Sequence, residues 1–252
     1  MQPALVAVLA GHDGMPRYLW LVLGLAACEP TLRMKPLPEL VAQARPTPIA
    51  VSPLLLVPGE TMIWDVNMGG FTIGRAELVV GEHDVQSRFT TGRLASTFAK
   101  VRHELTTVVE PGASLPERGT EVLEVDGETK RVAMAFDGRM HMITTDRTIV
   151  VPDGNNGHTL HSALGVIRAW AQPEARAGYL YAIVGGDLFR IDLARPFVEE
   201  LQGTMTLRIE CRVRAEVPIS MTIWLRASPD RTPLRIEISG DDAHLTAELI
   251  GS

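Results

Sequence analysis

Between Thr61 and Leu249 the chain is written in short runs whose apolar and polar residues alternate, the two-residue period of strands that bury one face. Met62, Trp64 and Val66 share one face of the first run, with Asp65 and Asn67 on the other. After Gly69-Gly70 the apolar parity passes from Phe71 and Ile73 to Ala76, Leu78 and Val80, and the slip predicts a bulge at Gly74. A third strand is expected over His83–Thr91, with Val85 and Phe89 on one side. Asp126-Gly127 and Asp137-Gly138 sit between further alternating runs, the strongest short hairpin signal.

Two stretches change period. Leu94, Phe98, Val101 and Leu105 fall on a helical stripe, which predicts a short helix there, yielding to strand from about His103, with its stripe in the core. His158 to Trp170 places Leu160, Leu164 and Ile167 at helical spacing and predicts the main helix of the chain. In the last third, Met205, Leu207, Ile209, Cys211, Val213, Ala215 and Val217 share one parity against Arg208, Glu210, Arg212, Arg214 and Glu216. Ile219 to Leu225, Leu234 to Ile238 and Leu245 to Leu249 continue the meander. The fold class expected is mainly β: a large curved antiparallel sheet or half-closed β-barrel with one or two short helices, occupying 57–252 as a single domain.

The N-terminal part reads differently. Arg17 precedes an apolar run, Tyr18–Ala27, too short for a mature membrane span but of signal-peptide length. Residues 1–27 are therefore expected to be a signal peptide, with Met15 as a candidate start because Met1–Gly14 carries no basic residue. Leu25-Ala26-Ala27-Cys28 resembles the bacterial lipobox. The resemblance implies acylation of Cys28, and Glu29 after it implies the periplasmic face of the outer membrane. The open alternatives are an exported protein cleaved by an ordinary peptidase and an uncleaved membrane anchor. Residues 28–56, with prolines at 30, 36, 38, 46, 48 and 53, are expected to be a tether.

Composition narrows the function classes. A net charge of -6 over 252 residues offers no basic field for nucleic acid, and 46% hydrophobic content suits a sizeable core. There are two cysteines, so acylation of Cys28 leaves Cys211 alone, on an apolar parity that suits a buried small hydrophobe. No nucleophile elbow, phosphate-binding loop or paired metal-ligand motif is present. His158 and His161 stand three residues apart near Asp153 without a third ligand at motif spacing, so no metal site, no cofactor and no catalytic residue is assigned. The strands place their polar residues almost entirely on the outer parity, which weighs against an enzyme. The candidate binding residues are Met62, Trp64, Met134, Met205 and Met221, an inward set able to line a hydrophobic groove for a lipid. Parity does not separate such a groove from a filled interior.

The ordered pieces Gly59-Glu-Thr, Trp64-Asp-Val, Ile73-Gly-Arg-Ala, Ser96-Thr-Phe-Ala-Lys-Val and Thr107-Val-Val-Glu resemble the domain of unknown function 3108 family of exported bacterial proteins. Leu160-His-Ser-Ala-Leu-Gly-Val-Ile-Arg168, Ile223-Trp-Leu-Arg and Asp230-Arg-Thr-Pro-Leu-Arg-Ile236 extend the likeness over nearly the whole domain. Where such members often carry Asp-x-x-Ser before the helix, this chain has His158-Thr-Leu-His. The resemblance implies an exported antiparallel β domain and no activity. Two functions are expected from all this. The first is a non-enzymatic envelope lipoprotein holding a lipid or other hydrophobic ligand. The alternative is a structural or protein-interaction module with a filled core and no ligand.

Overall fold

The computed structural model describes residues 46–252 except 138–140, 145, 146, 153, 154, 216, 218, 241 and 242, and the backbone but not the side chains of 141–144. The signal peptide, Cys28 and most of the tether lie outside the described residues.

The strands are β1 (Thr47–Pro48), β2 (Thr61–Met68), β3 (Phe71–Val80), β4 (Asp84–Thr91), β5 (Val101–Val108), β6 (Arg118–Val125), β7 (Glu128–Asp137), β8 (His141–Thr144) and β9 (Thr148–Val150). After them come β10 (Gly157–His158), helix α1 (Leu160–Trp170), β11 (Gly178–Val184), β12 (Asp187–Leu193), β13 (Phe197–Leu201), β14 (Thr204–Arg214), β15 (Ile219–Arg226), β16 (Pro233–Ser239) and β17 (His244–Gly251). All belong to one sheet, which runs from β10 and β11 through β12 to β17, then β2 to β9. The fold is mainly β, as the alternation predicts. Its long strands are antiparallel, and β1 and β10 add parallel pairs to β11.

Local chemistry explains the hairpins. The β2–β3 and β6–β7 turns need two consecutive residues at positive φ, met by Gly69-Gly70 (57° and 82°) and Asp126-Gly127 (50° and 91°). The bulge expected at Gly74 is present: Val66 pairs Gly74 while Asn67 pairs Thr72, leaving Ile73 as the extra residue. A Cβ at Gly74 would lie 2.4 Å from the Thr90 carbonyl oxygen and 2.7 Å from the Phe89 ring, so any side chain there forces its neighbours to shift.

The last strand, β17, pairs β2, which joins the two halves of the chain into one curved surface. The far parts of that surface then meet through side chains. Tyr179, Tyr181 and Ile183 of β11 pack with Leu105, Val132 and Met134 of β5 and β7. Leu180 and Ala182, on the other face of β11, join the cluster around α1 with Ile167, Leu207, Ile209 and Ile223. No ladder joins β9 to β10 among the described residues, so the barrel-like roll is open as a hydrogen-bonded structure.

Helix α1 sits inside this roll. Thr159 caps it, accepting the Ser162 N–H while the Ser162 hydroxyl accepts the Thr159 N–H. Seven of its residues are buried, His161, Ser162, Ala163, Gly165, Val166, Ile167 and Arg168, far more than one stripe.

Three expectations need correction. Residues 94–105 do not form a core helix: only Ala95–Thr97 make a 3-10 turn, Leu94 and Phe98 are 81% and 76% exposed, and β5 begins at Val101. His158 lies in β10 before the cap, where it pairs Ala182, rather than on the helix. The tether does not extend to Leu56, because the chain is docked from Pro46: Ile49 N–H donates to Tyr179, Leu54 to Ala113 and Leu55 to Gly165. Ile49 and Leu54 are buried in the α1 cluster, and that apolar contact offsets the disorder expected from the prolines.

Candidate functional site

Pairing registers map the inner surface directly, since residues opposite one another in a ladder share a face. One row runs Cys211, Met221, Ile238, Leu245, Met68 across β14 to β17 and β2. The next runs Ile209, Ile223, Ile236, Ala247, Val66, Gly74. A third runs Leu249, Trp64, Ala76, Phe89, His103, Leu123. Below it lie Met62, Leu78, Ser87, Leu105, Glu121, Val132, and then Val80, Val85, Thr107, Gly119, Met134.

Burial divides this surface. Met62, Leu78, Val80, Val85, Leu105 and Met134 are all buried, closed over by α1 and β11. By contrast, Val66, Met68, Ala76, Met221, Ile236 and Ile238 are only half-buried. The wall formed by β2, β3 and β15 to β17 is therefore apolar, inward and incompletely covered.

Four of the five residues expected to line a groove lie on this face: Met62 (0% exposed), Trp64 (6%), Met134 (3%) and the half-buried Met221. They do not form one patch, since Met62 and Met134 are packed in the closed part and only Met221 belongs to the open wall. Trp64 is pinned, its indole N–H donating to the Pro233 carbonyl at 3.1 Å. Met205 is not inward in effect. It is 52% exposed because it lies beyond the Leu207–Leu225 pair, past the closed end of the row.

The expectation that polar residues keep to the outer parity fails in the closed half. His161 reaches from α1 to two strands, its Nδ1 3.0 Å from the Thr107 hydroxyl and its Nε2 2.8 Å from the Ser87 hydroxyl. Thr107 in turn donates to the Thr159 hydroxyl at 2.9 Å. With that proton committed, the network assigns the neutral tautomer carrying hydrogen on Nδ1 and accepting from Ser87 on Nε2. Nearby, Glu121 accepts the Gly185 N–H at 2.7 Å and meets His103 Nε2 at 2.8 Å, binding β6 to β5 and to the β11–β12 turn.

His158 and His161 are buried, at 1% and 3% exposure. Burial pushes His158 down to about 4, and burial with the neighbouring His103 pushes His161 down to about 3. A serine hydroxyl on a histidine is the first pair of an acyl-transfer arrangement, but here the ring's other nitrogen meets a neutral hydroxyl instead of a carboxylate. A base weakened so far and closed from solvent does not activate Ser87 at neutral pH. The arrangement instead braces α1 against β4 and β5. No three His, Cys, Asp or Glu side chains group as metal ligands among the described residues. Cys211 is buried, and desolvation raises its thiol far above the ordinary range, which keeps it inert.

At the other end of α1, Arg168 is fully buried and binds Glu60 through two 2.8 Å hydrogen bonds. It also donates to the Asp230 carbonyl from Nε at 3.2 Å and from a terminal nitrogen at 2.6 Å. Where the docked segment meets the β3–β4 turn, a cavity of about 30 Å³ lined by Leu54, Leu56, Val85 and Val109 together with Asp84 and Glu110 has room for a water molecule and not for a ligand.

Sequence reasoning missed this polar set, though its signal was present. Ser87 lies between Val85 and Phe89, Thr107 continues the row of Val101 and Leu105, and Arg168 follows Leu164 by one turn of the helix. Each is a polar residue on an apolar period.

No family model matches the chain, and no curated protein matches it. The resemblance to the domain of unknown function 3108 family rests on the quoted residues alone. Among solved structures, the chain is similar to a beta-barrel-like protein of domain of unknown function DUF1849 from Brucella abortus. The superposition has a TM-score of 0.56 at 9% identity and covers 75% of this chain and 94% of that one. The likeness is one of fold. It supports a barrel-like roll for this chain and says nothing of a ligand.

Proposed function

We propose that the protein is a non-enzymatic module of the bacterial envelope, anchored through acylated Cys28, that holds an acyl chain or other hydrophobic component on the open inner wall. The observation that supports this reading is the set Val66, Met68, Met221, Ile236 and Ile238, on two adjacent inner rows, apolar side chains that pack at the margins of the core clusters and stay half-buried among the described residues. Apolar surface in a concave setting is favourable to cover, at about 25 cal/mol per Å² removed from water. The lipobox-like Leu25-Ala26-Ala27-Cys28 supplies the location, outside the described residues.

The competing reading is an interaction module without a ligand. The closed half favours it, since α1 already occupies the space beside Met62 and Val85. Native mass spectrometry and lipid extraction of the full chain, purified from a bacterial envelope, separate the two. A stoichiometric hydrophobic molecule is expected, and Ile236→Trp should reduce uptake of a fluorescent fatty acid without lowering the melting temperature. A clean mass with unchanged uptake by the variant would move the function to the outer surface.

A further inference from the structure

The β4–β5 connection and the neighbouring β2–β3 turn place three large apolar side chains in water. Leu94 is 81% exposed, Phe98 76% and Phe71 77%. The ladder brings Phe71 near Leu94: Gly74 pairs Thr91, and Gly92 N–H donates to the Ile73 carbonyl, so 71–72 run alongside the start of the connection, and Phe98 follows at the end of the 3-10 turn.

The connection is a built element rather than a loose one. Ser96 N–H donates to Gly92 and Ala99 N–H to Ala95, the Ser96 and Thr97 hydroxyls donate to Arg93 and Leu94 carbonyls, and Lys100 N–H is held by the Asp126 carboxylate at 2.8 Å. Ala95 packs against the cluster of Ile73 and Leu245. The segment thus satisfies several of its own polar groups while its 3-10 turn buries none of its residues. Internal hydrogen bonding of this kind is what a surface needs before it can enter a low-dielectric layer. Arg93 and Lys100, both exposed, bracket Leu94 and Phe98 in a chain whose net charge is -6.

We infer that this end of the roll is a contact for a bilayer surface, with Phe71, Leu94 and Phe98 entering the interfacial layer and Arg93 and Lys100 meeting anionic headgroups. Apolar side chains ringed by basic ones bind interfaces through both terms, and each term alone is weak. The inference rests on the anchored-lipoprotein reading, which brings the domain to a membrane. Chain length allows the contact: Cys28 to Arg45 spans at most about 60 Å, whereas the ten residues of β3 rise about 33 Å. The anchored domain can therefore lay this end on the bilayer that holds its N-terminus.

The test uses the full chain, purified in mild detergent from a bacterial envelope and reconstituted into vesicles of phosphatidylethanolamine and phosphatidylglycerol with nitroxide-labelled lipid. Phe98→Trp reports on the contact, and Phe197→Trp, at a position 63% exposed on β13, is the control. Measured as a difference from the parent chain, Phe98→Trp emission should shift to the blue and lose intensity to the nitroxide, Phe197→Trp should not, and Arg93→Gln with Lys100→Gln should weaken the quenching. A chain that floats with the vesicles but leaves the Phe98→Trp signal unquenched overturns the contact and spares the anchor. A chain that does not float overturns both.

Discussion

Arg168, near the end of α1, lays two guanidinium nitrogens on the two carboxylate oxygens of Glu60, both at 2.8 Å, across 108 residues of sequence. The arginine side chain is fully buried and the carboxylate 13% exposed, so this fork ties the helix to the start of β2 in a place where neither charge is well solvated.

Removing one member strands the other. Glu60→Ala should destabilise the domain by about 3–5 kcal/mol, because an uncompensated buried guanidinium is left behind. Arg168→Met combined with Glu60→Gln should recover much of that loss, since the replacement removes the charge along with its partner. Urea unfolding of the parent, single and double variants measures both. A Glu60→Ala midpoint equal to the parent's would mean that the Asp230 carbonyl alone satisfies Arg168.

Gly74 carries a second prediction. A Cβ added at this position would run into the Thr90 carbonyl and the Phe89 ring, and both are held in the β3–β4 ladder. Gly74→Ala should therefore cost about 1–3 kcal/mol through overpacking. Thermal melting measures it, and Phe89→Leu in the same background should restore part of the loss only if the ring is the obstacle rather than the carbonyl.

That bulge was legible from the alternation alone, as were the Gly69-Gly70 and Asp126-Gly127 turns, because each depends on a few adjacent residues. Other features depend on what lies across the fold. β11 has no alternation to read, since Tyr179, Tyr181 and Ile183 meet one layer while Leu180 and Ala182 meet another. Helical spacing in residues 94–105 pointed to a buried stripe, but periodicity records which residues are apolar and not what they cover; Leu94 and Phe98 stay largely exposed among the described residues. The inward polar set was hidden for a related reason. Ser87, Thr107 and His161 come from three separate elements, and their complementarity exists only once α1 is inside the roll.

Buried His161 and its neighbour in sequence His158 govern the response to acid. His158 and His161 titrate near 6.5 in an unfolded chain, and in the folded one burial lowers them to about 4 and about 3. Well above pH 6.5 both states hold the neutral rings and the full stability is present. As pH falls below 6.5, the unfolded chain takes up protons that the folded chain refuses, so stability declines by about 1.4 kcal/mol per pH unit for each histidine. The decline continues until pH reaches the folded values. The urea midpoint of the full chain should therefore drop steadily between pH 6.5 and about 4.5, a range above the ordinary titration of carboxylates. His158→Asn with His161→Asn should lower the midpoint at pH 7, since the bonds to Ser87 and Thr107 are lost or altered, yet flatten its pH dependence. A double variant as acid-sensitive as the parent would place the titrating groups elsewhere in the fold.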